Sequence, residues 1–199
     1  MAEEAQPAPR HRPRRARVSA VVAVALAAAF VTWLVVGRDG DETAQTTTAP
    51  LVGTTPSGTE SRPAIVSLAA LRSAAASSDV PIYWVGARRR TSVELTRVPN
   101  GTVFVRYVPP SVAAGDLRKF LTVATYPRPD AFDEVRKAAR APDARTIRLA
   151  GGGIAVYNGA RPTNVHIGYP GQRYQVEVFA PEPGLVTQLA SSGAIRPVS

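Results

Sequence analysis

Residues 92–108 read SVELTRVPNGTVFVRYV, two runs of alternating apolar and polar residues joined by a turn sequence. Successive side chains of a strand point to opposite faces, so Val93 and Leu95 share one face with Val103 and Val105. The Pro-Asn-Gly sequence between the runs is typical of a tight hairpin turn. This stretch therefore predicts an antiparallel β-hairpin with one buried face.

The same pattern continues along the chain in short runs rich in β-branched and aromatic residues. They are PIYWVG (81–86), FLTVATY (120–126), RTIRL (145–149), GIAVY (153–157), VHIGY (165–169) and YQVEVFA (174–180). Their alternation places a further set of apolar side chains on the buried face: Tyr107, Ile147, Leu149, Val165, Ile167, Val176 and Val178. Pro170-Gly171 provides a second turn. These runs predict a mainly antiparallel sheet.

Three segments carry helix signals. They are SLAALRSAAAS (67–77) with Ser67 as N-cap, DAFDEVRKAAR (130–140) with Asp130 as N-cap, and GLVTQLASSG (184–193) ending at Gly193. The side chains expected to face inward are Leu68, Leu71, Ala75, Phe132, Val135, Ala139, Leu185, Val186 and Leu189. The predicted fold class is α+β: an N-terminal transmembrane helix, a flexible stalk, then a mainly antiparallel sheet packed with about three helices.

The N-terminal region contains a nonpolar stretch, Val18–Val36, in which only Ser19 and Thr32 are polar. As a helix it would be roughly 28 Å long, close to the thickness of a bilayer's hydrocarbon core. The stretch is longer than a secretory signal and ends in bulky residues, without a small-x-small cleavage site. We therefore expect an uncleaved signal anchor. A cleaved signal peptide and a buried helix of a soluble protein are the alternatives.

Charges on either side of this stretch predict its orientation. Five arginines lie between residues 10 and 17, whereas Asp39, Asp41 and Glu42 follow the stretch. The positive-inside rule then places the N-terminus in the cytoplasm and the C-terminal part outside. The expected organisation is a basic cytoplasmic tail (1–17), a transmembrane signal-anchor helix (18–36), a disordered Thr/Pro/Gly stalk (37–63) and an extracytoplasmic α+β domain (64–199). The expected location is the cell membrane, crossed once.

Composition limits the chemistry that the domain can use. The chain has no cysteine, which excludes disulfides, thiolate metal sites and a cysteine nucleophile. Residues 64–199 carry 17 basic and nine acidic side chains, so this part is itself basic. Of the 24 basic residues 22 are Arg, which indicates the codon bias of a G+C-rich genome as much as selection for a ligand. A basic domain outside a membrane is still attracted to anionic polymers and lipid headgroups.

Several residues invite a functional interpretation, and most have a simpler structural one. Gly151-Gly152-Gly153 is followed by a strand and no helix, so a hairpin turn is favoured over a phosphate loop. His166 points away from the core face and lacks a second ligand or a nucleophile nearby in sequence. Asp133 and Glu134 are neighbours on a helix and diverge. Asn100-Gly101-Thr102 matches a glycosylation pattern that the turn explains.

Two features remain as candidate contact surfaces. Arg88-Arg89-Arg90 lies between two strands, where it could bind phosphate, an anionic cell-wall polymer or lipid headgroups, or simply form a solvated loop. The sheet face opposite the core is expected to gather polar residues and two rings: Glu94, Phe104, Arg106, Arg148, Tyr157, His166, Gln175 and Glu177. This face could be solvated, covered by a helix, or used for recognition.

Five segments also carry a resemblance to a known family. PIYWVG (81–86), VFVRYVPP (103–110), FLTVATYP (120–127), GGGIAVYNGARPT (151–163) and YPGQRYQVEVFAP (169–181) together resemble an uncharacterised family of single-pass, membrane-anchored envelope proteins of high-G+C bacteria. The match covers about residues 79–199 and contains no catalytic motif. The resemblance implies the same location and no particular activity, because the family has none assigned.

The sequence thus favours a non-enzymatic binding or assembly module of the cell envelope. We expect no catalytic residue, no cofactor and no metal, with Arg88, Arg89 and Arg90 as the candidate anionic contact. Expected partners are the lipid bilayer and an anionic envelope polymer or another membrane protein; specific nucleic-acid binding is not expected. A sensory or ligand-binding domain acting through a partner membrane protein is one alternative. A hydrolase without a recognisable motif is another.

Overall fold

A computed structural model describes residues 61–199, which form an eight-stranded sheet, a two-stranded ribbon and three α-helices. The strands are β1 (Ser61–Val66), β2 (Tyr83–Trp84), β3 (Ser92–Arg97), β4 (Val103–Val108), β5 (Thr122–Pro127), β6 (Ala144–Arg148), β7 (Ile154–Asn158), β8 (Asn164–Gly168), β9 (Tyr174–Phe179) and β10 (Arg196–Pro197). The helices are α1 (Leu68–Ala76), α2 (Ala131–Ala138) and α3 (Leu185–Ser191).

The large sheet has the strand order β1-β3-β4-β5-β9-β8-β7-β6, and every pair in it is antiparallel. It consists of two halves whose neighbouring strands are close in sequence, joined along the β5–β9 pair. The ribbon pairs β2 with β10. This part of the chain is therefore an α+β fold with a mainly antiparallel sheet and three helices, as the sequence predicts.

One face of the sheet, here called the core face, is almost wholly apolar. Val105, Val123, Val178 and Ile167 lie on it in neighbouring strands, each at most 1% exposed. The helices α1 and α3 and the ribbon cover this face, because Leu71, Val186, Leu189, Tyr83 and Trp84 belong to the same buried cluster. The alternation read from the sequence is confirmed on this face.

The opposite face, here called the polar face, is covered differently at its two ends. Over β7 and β8 it is covered by α2, whose Val135 packs with Val156. Gly168 allows this close approach, since a Cβ there would lie 3.0 Å from the Cα of Phe132. Over β3 and β4 it is covered by the loop between β4 and β5. The polar face is thus largely buried, and a helix accounts for only part of its cover.

Two of the predicted helix ends are confirmed. Ser67 Oγ accepts a hydrogen bond from the Ala70 N–H at 3.1 Å, so it caps α1 as predicted. Gly193 has φ +68°, and the Ala194 N–H after it donates to Leu189 O, which ends α3 as predicted. Asp130 precedes α2, but its side chain makes no capping hydrogen bond.

Four predictions need correction. Leu68 is 40% exposed and does not face inward, because α1 meets the sheet through Leu71. PIYWVG forms only two strand residues, and these belong to the ribbon. Tyr157 packs with the core cluster and so does not lie on the polar face. The sheet begins at Ser61, so residues 61–63 of the predicted stalk belong to β1, a strand that the sequence pattern did not reveal.

The predicted signal anchor (18–36) lies outside the described residues, as do the tail and most of the stalk. Among residues 61–199 no helix has the length and apolar character needed to cross a bilayer.

Candidate functional site

The first polar group on the polar face is a buried ion pair between neighbouring strands. Glu94 on β3 and Arg106 on β4 lie directly opposite each other in the hairpin register. Arg106 Nη1 donates to Glu94 Oε1 at 2.6 Å, and the two residues are 8% and 0% exposed. Buried charges are stable only when they are paired and fully hydrogen-bonded. The remaining hydrogen-bonding groups of both side chains therefore need partners.

Those partners come from the loop between β4 and β5, residues 109–121. Glu94 Oε2 accepts from the Gly115 N–H at 2.7 Å. Arg106 Nη2 donates to the carbonyls of Asp116 and Arg118 at 2.8 and 3.0 Å, and its guanidinium lies 5.4 Å from the centre of the Phe120 ring. The ion pair thus fixes the loop over the sheet. We call this arrangement the clamp.

A second polar cluster lies on the same face across β5, β8 and β9. Both carboxylate oxygens of Glu177 accept hydrogen bonds, Oε2 from Tyr126 Oη at 2.8 Å and Oε1 from Asn164 Nδ2 at 2.6 Å. Gln175 Nε2 lies 3.2 Å from His166 Nδ1. Gln175 and His166 are therefore buried hydrogen-bonding neighbours on this face.

Burial decides the ionisation of this cluster. His166 is 7% exposed, and burial lowers the pKa of its imidazole below the ordinary value of 6.5. The nearby Glu177 carboxylate opposes this shift and the Arg128 guanidinium adds to it. Burial also raises the pKa of the Tyr126 hydroxyl, together with the adjacent Glu177 carboxylate. His166 is therefore a neutral, hydrogen-bonded residue at neutral pH.

We expect His166 to make stability depend on pH in the mildly acidic range. Because the folded state disfavours the imidazolium, this contribution is complete above pH 6.5 and is lost as pH falls below 6.5 toward the folded pKa. The free energy of unfolding should change with pH by up to about 1.4 kcal/mol per pH unit. Urea unfolding between pH 7 and 5 measures this dependence in the native chain and in His166→Gln. Both proteins retain His11, so it does not contribute to the difference between them. Equal slopes for the two proteins would contradict this origin.

The polar face does not bring together the parts of a hydrolytic centre. His166, Gln175 and Glu177 are all nearly inaccessible to solvent, and Glu177 is occupied by Tyr126 and Asn164. Gln175 Oε1 is buried without a hydrogen-bond partner among residues 61–199. The sequence correctly placed His166 and Glu177 on one face, and the structure shows that they are paired in register across β8 and β9. The hydrogen bonds of this arrangement satisfy the buried carboxylate of Glu177 inside the sheet.

The Arg88–Arg90 triplet has a different environment. It lies in the connection between β2 and β3, and all three side chains are exposed. Thr91 Oγ1 donates to the Arg88 carbonyl at 3.0 Å, and Arg90 has φ +58°, so the backbone forms a tight turn. Tyr107 Oη accepts from the Val85 N–H at 2.9 Å and anchors the base of this connection. The triplet is accessible to a large ligand.

The other sequence candidates have structural roles. Gly151 and Gly152 have positive φ in the β6–β7 connection, and β7 follows directly, which confirms a hairpin turn. Asp133 is exposed and lies 3.5 Å from Arg136 on the same helix. Asn100 Oδ1 accepts from the Thr102 N–H at 3.0 Å within the β3–β4 turn. Arg148, predicted on the polar face, is exposed at the outer edge of the sheet in β6.

No group of three or more His, Asp or Glu side chains among residues 61–199 is arranged to hold a metal ion. Comparison with protein-family models, with curated proteins and with solved structures found no match to this chain. A function is therefore proposed from the amino-acid sequence and from the arrangement of the side chains in residues 61–199.

Proposed function

We propose that this chain is a membrane-anchored extracytoplasmic binding or assembly module of the cell envelope. Residues 18–36 would hold it in the membrane, with the N-terminus in the cytoplasm and residues 61–199 outside. The length of this nonpolar stretch and the arginines before it support the anchor and its orientation. The envelope family that the sequence resembles supports the same location.

The distribution of charge in the domain supports an anionic binding partner. Of the nine carboxylates in residues 64–199, Glu94 and Glu177 are buried, whereas Arg106 is the one buried cation among 17. The residues outside the core therefore include 16 cations and seven carboxylates. Such a surface attracts anionic polymers and headgroups over several ångströms before any specific contact forms.

The observation that carries the proposal is the exposure of Arg88, Arg89 and Arg90 together on one anchored loop. Guanidinium groups bind phosphate and carboxylate oxygens through paired N–H donors. Three of them on a short turn can meet several oxygens of a repeating anionic ligand at once. The same residues have no carboxylate partner among the salt bridges of the described part.

Charge reversal of the triplet tests this contact. We expect Arg88→Glu/Arg89→Glu/Arg90→Glu to weaken saturable binding of the detergent-solubilised full chain to isolated envelope fragments by at least about tenfold, since each exposed ionic contact contributes roughly 0.5 kcal/mol. Titration of the labelled chain against envelope fragments measures the affinity.

The matched control is Arg136→Glu/Lys137→Glu/Arg140→Glu, which changes the net charge equally at exposed residues of α2 and of the turn that follows it. It should bind more tightly than the loop variant. Equal losses in both variants would point to general charge attraction, and unchanged binding of the loop variant would reject the triplet as the contact.

A further inference from the structure

Leu117 is an exposed aliphatic side chain that the fold holds in place. At 55% exposure it is the most exposed of the three large hydrophobic residues on the described surface, the others being Ile65 and Leu68. It lies in the 109–121 loop, immediately before Arg118 and Lys119, which are also exposed. An isolated surface leucine needs no explanation, so the significance of Leu117 depends on how it is held and on its surroundings.

The clamp fixes the backbone on both sides of Leu117. The carbonyls of Asp116 and Arg118 both accept from Nη2 of Arg106, and the Gly115 N–H donates to Glu94. The Arg118 N–H also donates to Asp116 Oδ1 at 2.9 Å. The backbone polar groups next to Leu117 are thus bound toward the sheet, while its side chain remains exposed.

Ile65 lies close to this loop. It pairs in register with Glu94 and so lies on the polar face beside the clamp, where it is 46% exposed. Its strand also contacts the loop, since a Cβ on Gly115 would lie 3.7 Å from the Pro63 side chain. Two of the three exposed large hydrophobic residues of the described part therefore flank one ion pair.

Cations lie in the two loops at this end of the sheet. Ser92 pairs with Val108, so the Arg88–Arg90 loop before β3 and the 109–121 loop after β4 leave the sheet together. Arg118 and Lys119 add two more cations, and Asp116 is the one carboxylate of the 109–121 loop. We call Leu117, Ile65, Arg118, Lys119 and the Arg88–Arg90 triplet the docking patch.

We propose that the docking patch seats the domain on an anionic lipid bilayer, with Leu117 inserted between the acyl chains and the cations bound to headgroup phosphates. This inference rests on the proposed function and names its partner. Interfacial amphipathic helices combine buried apolar side chains with Lys and Arg that contact headgroups, and the docking patch offers the same two kinds of side chain from loops and a strand. A hydrophilic anionic polymer would engage the cations, but it would give no role to a clamped, exposed leucine.

The point where the chain enters the domain favours the same partner. The described part begins at Ser61, in the strand that carries Ile65, and 24 residues (37–60) connect it to the proposed anchor. If these residues behave as a flexible chain, they keep the domain within roughly 27 Å root-mean-square of the bilayer. Tethering converts docking into an intramolecular event, so a weak patch suffices.

Spin labels placed in the full chain test the proposal. Because the chain has no cysteine, Leu117→Cys and Gln188→Cys each give one labelling site; Gln188 is exposed on α3, over the opposite face of the sheet. Each labelled chain is reconstituted in nanodiscs of pure phosphatidylcholine or in nanodiscs that also contain the anionic lipid phosphatidylglycerol. The rate at which the spin label collides with oxygen, which dissolves in lipid, is compared with the rate at which it collides with a water-soluble nickel chelate.

For the label at residue 117, we expect the ratio of oxygen to nickel-chelate collision rates to be several-fold higher in anionic discs than in phosphatidylcholine discs. The label at residue 188 should stay in water in both. Adding the Arg88–Arg90 charge reversal should return the label at residue 117 to water. A label at residue 117 that stays aqueous in anionic discs overturns lipid docking. Binding of that same chain to envelope fragments would then indicate an envelope partner other than lipid. Failure of the chain to assemble into discs would overturn the membrane anchor itself.

Discussion

Arg106→Met should lower the free energy of unfolding by about 3–5 kcal/mol, the largest effect expected of any single substitution on the polar face. Methionine fills much of the same volume but leaves the Glu94 carboxylate, which is 0% exposed, without its counter-ion. The carbonyls of Asp116 and Arg118 also lose their donor. Chemical denaturation of the native and variant chains measures the difference.

A double substitution separates the lost ion pair from lost packing. Glu94→Leu/Arg106→Met should be more stable than Arg106→Met alone, because no unpaired charge remains in the interior. Recovery should be incomplete, since the Gly115 N–H loses its acceptor in the clamp. As a control, Arg136→Met breaks the exposed pair with Asp133 and should change stability by less than about 1 kcal/mol. A double variant less stable than Arg106→Met would contradict this account.

Leu71→Ala should destabilise the protein by about 2–5 kcal/mol. Leu71 is 0% exposed and is the one fully buried residue of α1, so its removal leaves a cavity where this helix meets the core face. Alanine favours helix formation, hence the loss comes from packing and not from helix propensity. The same denaturation measurement applies.

Leu68→Ala provides the matched comparison, because it makes the same substitution one turn earlier at a side chain that is 40% exposed. It should cost less than about 1 kcal/mol. If the two variants lost similar stability, α1 would have to contact the sheet through a different face.

Much of the sheet was predictable because its signals are local. The Pro-Asn-Gly turn predicts the β3–β4 hairpin, and the register that the structure adds places Glu94 opposite Arg106. Alternation then assigns Val105 to one face and Arg106 to the other. Turn glycines such as Gly101, with φ +82°, are consistent with the same pattern.

The cover over the polar face could not be predicted, because it depends on contacts between residues that no periodicity relates. Residues 109–121 contain no strand or helix pattern, yet their backbone satisfies the Glu94–Arg106 pair. Polar residues at alternate positions of a strand are usually solvated, so burial of Glu94, His166 and Glu177 was not indicated by the sequence. β1 was not predicted because it contains Pro63 and follows a segment rich in threonine and proline. Its apolar residues, 64–66, are too few to show a strand pattern.

The division of the sheet into two halves has a consequence for how the chain folds. Within each half, neighbouring strands are separated in sequence by no more than residues 67–91, so we expect these contacts to form early and at lower entropic cost. The β5–β9 pair brings together Thr122 and Phe179, which are far apart in sequence, so we expect its closure to be the slow step of folding. Until then both halves display unpaired edges bearing Val123 and Val178. We expect a newly synthesised chain to be most prone to aggregate during that interval.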